Sequence, residues 1–175
     1  HYDLRYDGEW DIDINSIISC IADSRNNLPG GKIKAIVIVN PNNPTGMFLK
    51  KEEYLRIKKI SLRHDIVMIV DEVFIDYLFG DEKKIAGTTA HEDRVLTFTL
   101  NGISKMVGLP QLKLGWIVVG GESGLVSKAV ARLEIICDTF LSVNSPVQNA
   151  LPWLLKNGAA VHDQILSRVK TNYNL

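Results

Sequence analysis

Two kinds of apolar run alternate along this chain. Ile14 to Ala22 carries its apolar residues on one helical stripe, with Asp13 placed to cap the first turn. Ala35 to Val39 is continuously apolar and rich in β-branched residues, the pattern of a strand buried on both faces. Lys50 to Arg63 returns to helical spacing, with Tyr54, Leu55, Ile57, Ile60 and Leu62 as its apolar positions. Ile66 to Val70 predicts a second buried strand. Val95 to Leu100 predicts a third and Gly115 to Gly120 a fourth. Glu122 to Ile136 reads as a helix. A last helix runs from Ser145 to about Lys170, with Ser145 as its cap and Pro146 at its first position.

Strand and helix in alternation predict an α/β fold, an open sheet with mostly parallel strands. Only about fifteen residues separate the third and fourth strands, and they include Gly108 and Pro110. That is short for a helical crossover, so the fourth strand is expected to run antiparallel. The last helix stops at Asn172-Tyr173-Asn174-Leu175 without a cap signal, which raises the expectation that these residues are a fragment of a longer chain.

Composition narrows the function classes. The 175 residues are 46% apolar and 23% charged, with a formal net charge of zero. No basic excess points to nucleic acid, and no polybasic run points to a membrane surface. Apolar stretches such as Ile66 to Val70 are too short to cross a bilayer. The first residues, His1-Tyr2-Asp3-Leu4-Arg5, lack the pattern of a signal peptide. Cys20 and Cys137 stand 117 residues apart, without a second ligand at zinc spacing. They are read as reduced, buried thiols, with the cytoplasm as the expected compartment. The four histidines show no metal spacing and no triad arrangement, and the three tryptophans read as packing residues.

In open α/β sheets, ligands bind beyond the carboxyl ends of the strands. The first strand is followed by Asn40-Pro41-Asn42-Asn43-Pro44-Thr45-Gly46, the second by Asp71-Glu72-Val73-Phe74, the third by Asn101-Gly102-Ile103-Ser104-Lys105. An amide-rich turn, a carboxylate and a lysine therefore arrive at one sheet edge. The turn, with two prolines and a glycine, reads equally as a stiff connection or as a rigid polar site. Asp71 follows five apolar residues and begins partly desolvated, either as a cap or ion pair or as a site acid. Glu72 reads as a solvent-facing or structural partner rather than a second catalytic acid. Lys105, in a small polar turn after a buried strand, is placed to be held at low dielectric, which lowers a lysine pKa and exposes a free amine.

These blocks, with Leu109-Pro110-Gln111-Leu112-Lys113-Leu114-Gly115-Trp116 after them, resemble the fold-type I, class I/II aminotransferases that use pyridoxal 5'-phosphate (PLP). Four blocks stand in family order at family-like spacing. The resemblance spans essentially the whole chain, which would be less than half of a typical member. It implies a transferase of amino acid metabolism that moves an amino group between an amino acid and a 2-oxo acid. It implies a three-layer sandwich with a mostly parallel sheet, of which residues 1–143 would be part of the PLP-binding large domain. Residues 144–175 would begin the helix leading to the small domain. It also implies a cytoplasmic homodimer with no nucleic-acid or membrane partner. Other PLP chemistry, such as β-elimination, and a non-catalytic ligand-binding domain of a regulator are the alternative readings.

The resemblance also implies roles. Lys105 would hold the cofactor's aldehyde covalently and later carry the substrate proton. Asp71 would pair with the pyridine nitrogen and keep it protonated. Asn43 would bond the cofactor's phenolic oxygen, and Ser104 and Lys113 would meet its phosphate. Three positions depart from the family pattern. Phe74 stands where a tyrosine is usual, Lys113 where an arginine is usual, and Gly102 where a serine or threonine is common. Tyr77 stands at the wrong spacing from Asp71 for the usual role of that tyrosine, while Asn101 is a candidate to stand in for Gly102. The family's ring-stacking aromatic residue and glycine-rich phosphate loop lie before this stretch, and its substrate-binding arginine lies after it. The 175 residues alone are therefore expected to be inactive.

Overall fold

The computed structural model describes residues 1–27, 32–79 and 82–174. Strands β1 (Leu4–Tyr6) and β2 (Trp10–Ile12) form a small antiparallel hairpin. Each is too short for an alternation to show in the sequence. Helix α1 (Ile14–Asn27) comes next, five residues longer than the spacing predicts. Then come β3 (Ala35–Val39), α2 (Lys51–His64), β4 (Val67–Asp71) and β5 (Thr97–Gly102). A single turn, α3 (Ile103–Met106), leads to β6 (Gly115–Gly120), α4 (Ser123–Thr139) and α5 (Ser145–Tyr173).

The main sheet has the order β3-β4-β5-β6. The first three strands are parallel and β6 runs antiparallel to β5, as the short connection requires. The fold is α/β with a mixed, mostly parallel sheet. Ile14, Ile17 and Ile21 of α1 and Ile57 of α2 pack on Ile36 and Ile38 of β3 and Met68 and Val70 of β4. Alternate strand residues point to the other face. There the expected two-sided burial of β3 fails, because Val37 is 56% exposed. Strand β3 lies at one edge of the sheet, and no described helix covers that side of it. Ile117 and Val118 of β6, at the opposite edge, are exposed as well.

A second core lies at the carboxyl end of β5. Ile103, Val107 and Leu114 are buried against Trp116 and against Val147, Leu151 and Leu154 of α5. Helix α5 is capped by Asn144 rather than Ser145: its side chain accepts the Val147 N–H at 3.1 Å. Pro146 has no N–H to offer, so the third helical residue takes the cap. Trp153 points outward and is 66% exposed, so the packing role expected of it is not met. Both cysteines are free; Cys20 is half-buried, but Cys137 is exposed on α4, against the expectation of two buried thiols. Among the described residues no helix is long and apolar enough to cross a membrane.

Buried polar groups tie the loop before β5 to α2. The Glu92 carboxylate accepts the main-chain N–H groups of Asp93, Arg94 and Val95 and an ammonium from Lys58 at 2.9 Å. Its second oxygen meets the Tyr54 hydroxyl. Burial by itself would raise this carboxyl, but the bonds from Lys58, Tyr54 and the main chain outweigh it and hold the pKa at about 2.

A carboxyl held below its ordinary value adds stability that is full above about pH 4.5 and is lost as pH falls through about 2. Glu92→Gln is expected to lower unfolding free energy by about 1–3 kcal/mol at neutral pH. The gap from the unsubstituted protein should narrow steadily below pH 4.5, as read by denaturant melts across pH. Gly158, buried in α5, faces Val107, whose Cβ would lie 2.6 Å from an added methyl group. Gly158→Ala should therefore lower the melting temperature. The overpacking, about 1–3 kcal/mol, outweighs the helix propensity gained, about 1 kcal/mol.

Candidate active site

The parallel ladder carries on one residue past its strands. The Asn40 N–H donates to the Asp71 carbonyl at 2.8 Å, and the Glu72 N–H donates to the Leu100 carbonyl at 2.9 Å. The ends of β3, β4 and β5 are thereby held level, and each delivers its next residues to the same edge.

Past β3, both Asn40-Pro41 and Asn43-Pro44 are cis peptides. The buried Asn40 side chain accepts the Leu49 N–H at 2.9 Å and pins the return of the loop. Asn42 turns inward: its N–H donates to the Met47 carbonyl, its carbonyl accepts the Gly46 N–H, and its Oδ1 accepts the Thr45 hydroxyl at 2.9 Å. Gly46, at φ +73°, supplies the left-handed residue the turn needs. Asn43 is left exposed, and its amide has no hydrogen bond among the described residues.

Past β4, two neighbouring carboxylates part company. Asp71 is half-buried and accepts the Val73 N–H on Oδ1 at 3.1 Å, leaving Oδ2 unbonded among the described residues. Glu72 is buried and serves the fold, the structural of the two roles open to it. It accepts the Thr88 hydroxyl at 2.7 Å, the Thr89 N–H at 2.7 Å and the Thr89 hydroxyl at 2.9 Å.

Strand β5 begins two residues later than predicted and continues through Asn101 and Gly102, which pair with Trp116 and Gly115. Both residues were expected in the loop. The reason for glycine is close backbone approach: a Cβ at Gly102 would meet the Leu114 carbonyl at 2.8 Å. The Asn101 Oδ1 is occupied by the Gly102 N–H at 2.7 Å. The α3 turn is fastened at its start by the Ile103 N–H, which donates to the Leu114 carbonyl at 3.2 Å.

Lys105 departs from the expectation. It is exposed, with its ammonium 5.2 Å from the centre of the Phe74 ring, so the expected low-dielectric enclosure is absent from these residues. Ser104 is half-buried. Lys113 is exposed at φ +54°, closing the 3-10 turn Pro110–Leu112. Neither lysine has a carboxylate partner among the described residues, and no group of metal-ligating side chains occurs there. Sequence reasoning missed the Tyr77 hydroxyl, which donates to the Lys105 carbonyl at 2.8 Å. Tyr77 lies in an irregular segment, where no periodicity says which way a side chain turns.

The family model for class I and II aminotransferases matches residues 1–173. The chain belongs to the class I and II aminotransferases. The glutamate-pyruvate aminotransferase AlaA of Escherichia coli strain K12 is 29% identical over 151 residues, which is 86% of this chain and 35% of that protein. A tyrosine aminotransferase of Dictyostelium discoideum is 30% identical over 157 residues, 89% of this chain and 36% of that one. Among solved structures, the alanine aminotransferase from Pyrococcus furiosus superposes with a TM-score of 0.77 at 28% identity. The match covers 97% of this chain and 41% of that one. The chain thus spans just over a third of the length of these curated relatives.

In this aminotransferase chain the Gly102 departure has a steric origin. Gly102→Ser would restore the hydroxyl the family pattern carries, yet it drives Cβ against two backbone atoms, Leu114 O and Gly115 Cα. The expected result is a loss of about 1–3 kcal/mol in stability, measured by thermal or denaturant melts.

Proposed function

We propose that this chain is the cofactor-binding part of a PLP-dependent aminotransferase that moves an amino group between an amino acid and a 2-oxo acid. The observation that carries the reading is the levelling of three strand ends, which puts Asn43, Asp71 and Lys105 at one sheet edge in a chain of this family.

The residues fit the group. Lys105 offers a primary amine with no carboxylate beside it among the described residues, suited to an aldehyde. Asp71 offers an unbonded oxygen on a half-buried carboxylate, suited to a pyridinium nitrogen. Asn43 offers an exposed amide with free valences for a phenolic oxygen. Ser104 and Lys113 offer a hydroxyl and a cation for a phosphate. When bound, PLP supplies an electron sink for the bond-breaking step. The protein's part is to fix the ring through Asp71 and Asn43, anchor the phosphate, and move a proton at Nζ of Lys105. Lys113 acts as a point charge rather than a fork.

We place residues 1–143 in the large domain and residues 144–175 at the start of the helix to the small domain. The remainder of the substrate site then lies outside these 175 residues, which would not transaminate alone. A cytoplasmic homodimer acting on small molecules, without nucleic-acid or membrane partners, completes the proposal. The formal net charge of zero, with no polybasic run, supports small molecules rather than nucleic acid as partners.

The full-length protein, incubated with PLP and reduced with borohydride, should carry one pyridoxyl group per chain, on Lys105, and none in Lys105→Ala. Keto-acid-dependent turnover without release of ammonia would separate amino transfer from elimination. Labelling scattered over surface lysines, or none, would overturn the reading.

A further inference from the structure

Lys105 sits on a helix of one turn, which has few bonds of its own. Within it, the N–H groups of Val107 and Leu109 both reach the Ile103 carbonyl at 3.2 Å. The Lys105 carbonyl is instead held from 28 residues away, by the Tyr77 hydroxyl at 2.8 Å. The same segment also reaches the other end of the side chain. Phe74 lies under the ammonium, 5.2 Å from its ring centre. One short turn, from Phe74 to Tyr77, therefore touches Lys105 at both its main chain and its amine.

That turn is itself firmly set. The Ile75 N–H donates to the Glu72 carbonyl and the Tyr77 N–H to the Phe74 carbonyl, both at 3.0 Å. Glu72 is locked into the core by Thr88 and Thr89. The Tyr77 ring stands edge-on between Phe74, at 6.0 Å and 72°, and His162 of α5, at 5.1 Å and 64°. Burial, and then the nearby Asp76 charge, raise the Tyr77 phenol above its ordinary value, so it remains a donor throughout the neutral range.

We infer that Tyr77 is a positioning residue for Lys105: through its hydroxyl it fixes the α3 turn, and with it the direction in which the amine leaves the backbone. The turn that carries Phe74 thereby aims the lysine from behind. The link to cofactor binding rests on the function proposed above, whereas the hydrogen bond to the turn can be tested without it.

Tyr77→Phe removes one oxygen and keeps the ring between Phe74 and His162. In the cofactor-free full-length protein, amide hydrogen exchange at residues 103–107 should become about fivefold faster, the share of a single lost hydrogen bond. Exchange in β3 and β4 should stay unchanged. The apparent PLP affinity, read from the visible absorption of the lysine-bound cofactor, should weaken by a similar factor of about five. Tyr6→Phe, on a hairpin tyrosine whose hydroxyl makes no bond among the described residues, should alter neither readout. Unchanged exchange at 103–107, faster exchange everywhere, or unchanged PLP affinity would each overturn the inference. If the unsubstituted protein forms no adduct on Lys105, the cofactor reading fails, and the exchange data alone decide the role of Tyr77.

Discussion

Everything at the candidate site depends on the parallel register of β3, β4 and β5. Val39 pairs with Asp71 and Asp71 with Leu100, so three strands end within a residue or two of one another. A slip of one residue would turn Asp71 to the helix-covered face and bring Glu72 to the edge. The register is fixed from below by Ile36, Ile38, Met68 and Val70 under α1 and α2, whose burial the slipped pairing would forfeit. It is fixed from above by the two further bonds at Asn40 and Glu72. Hydrophobic patterning in the core thus decides which carboxylate faces the edge.

Buried carboxylates then hold the irregular segments in place. Glu72 gathers Thr88 and Thr89, and Thr89 meets the Thr99 hydroxyl on β5 at 2.8 Å. Glu92 gathers the three N–H groups before β5 and joins them to Lys58 and Tyr54 on α2. Each takes several donors, the condition under which a buried carboxylate is tolerated. The turn from Phe74 to Tyr77 inherits its rigidity from the first network and passes it to Lys105. A charged side chain in the core therefore bears on an exposed one at the edge.

The sheet was legible because its strands are short, apolar runs bounded by polar turns, and the antiparallel sense of β6 came from the length of its connection. The arrival of three polar segments at one edge was legible for the same reason: a strand fixes the position of the residues that come directly after it. Less legible was anything set by neighbours. Val37 and Ile117 looked like core residues, and nothing in their own segments says that their side of the sheet goes uncovered among the described residues. Gly102 looked like a missing hydroxyl, and only the approach of the Leu114 carbonyl shows why it is glycine. Glu92, between His91 and Asp93, is a buried hub, and nothing in its own polar segment marks it as one. Lys105 looked enclosed from the buried strand before it, and it is exposed among the described residues.

The most direct test is a crystal structure of the full-length protein grown with PLP. The account predicts continuous density from Nζ of Lys105 to the cofactor, with an Asp71 oxygen at hydrogen-bond distance, about 2.7–3.0 Å, from the pyridine nitrogen. Asn43 should face the ring oxygen, and Tyr77 should remain on the Lys105 carbonyl. A cofactor bound elsewhere, or bound at this edge with Asp71 turned away from the ring, would contradict it.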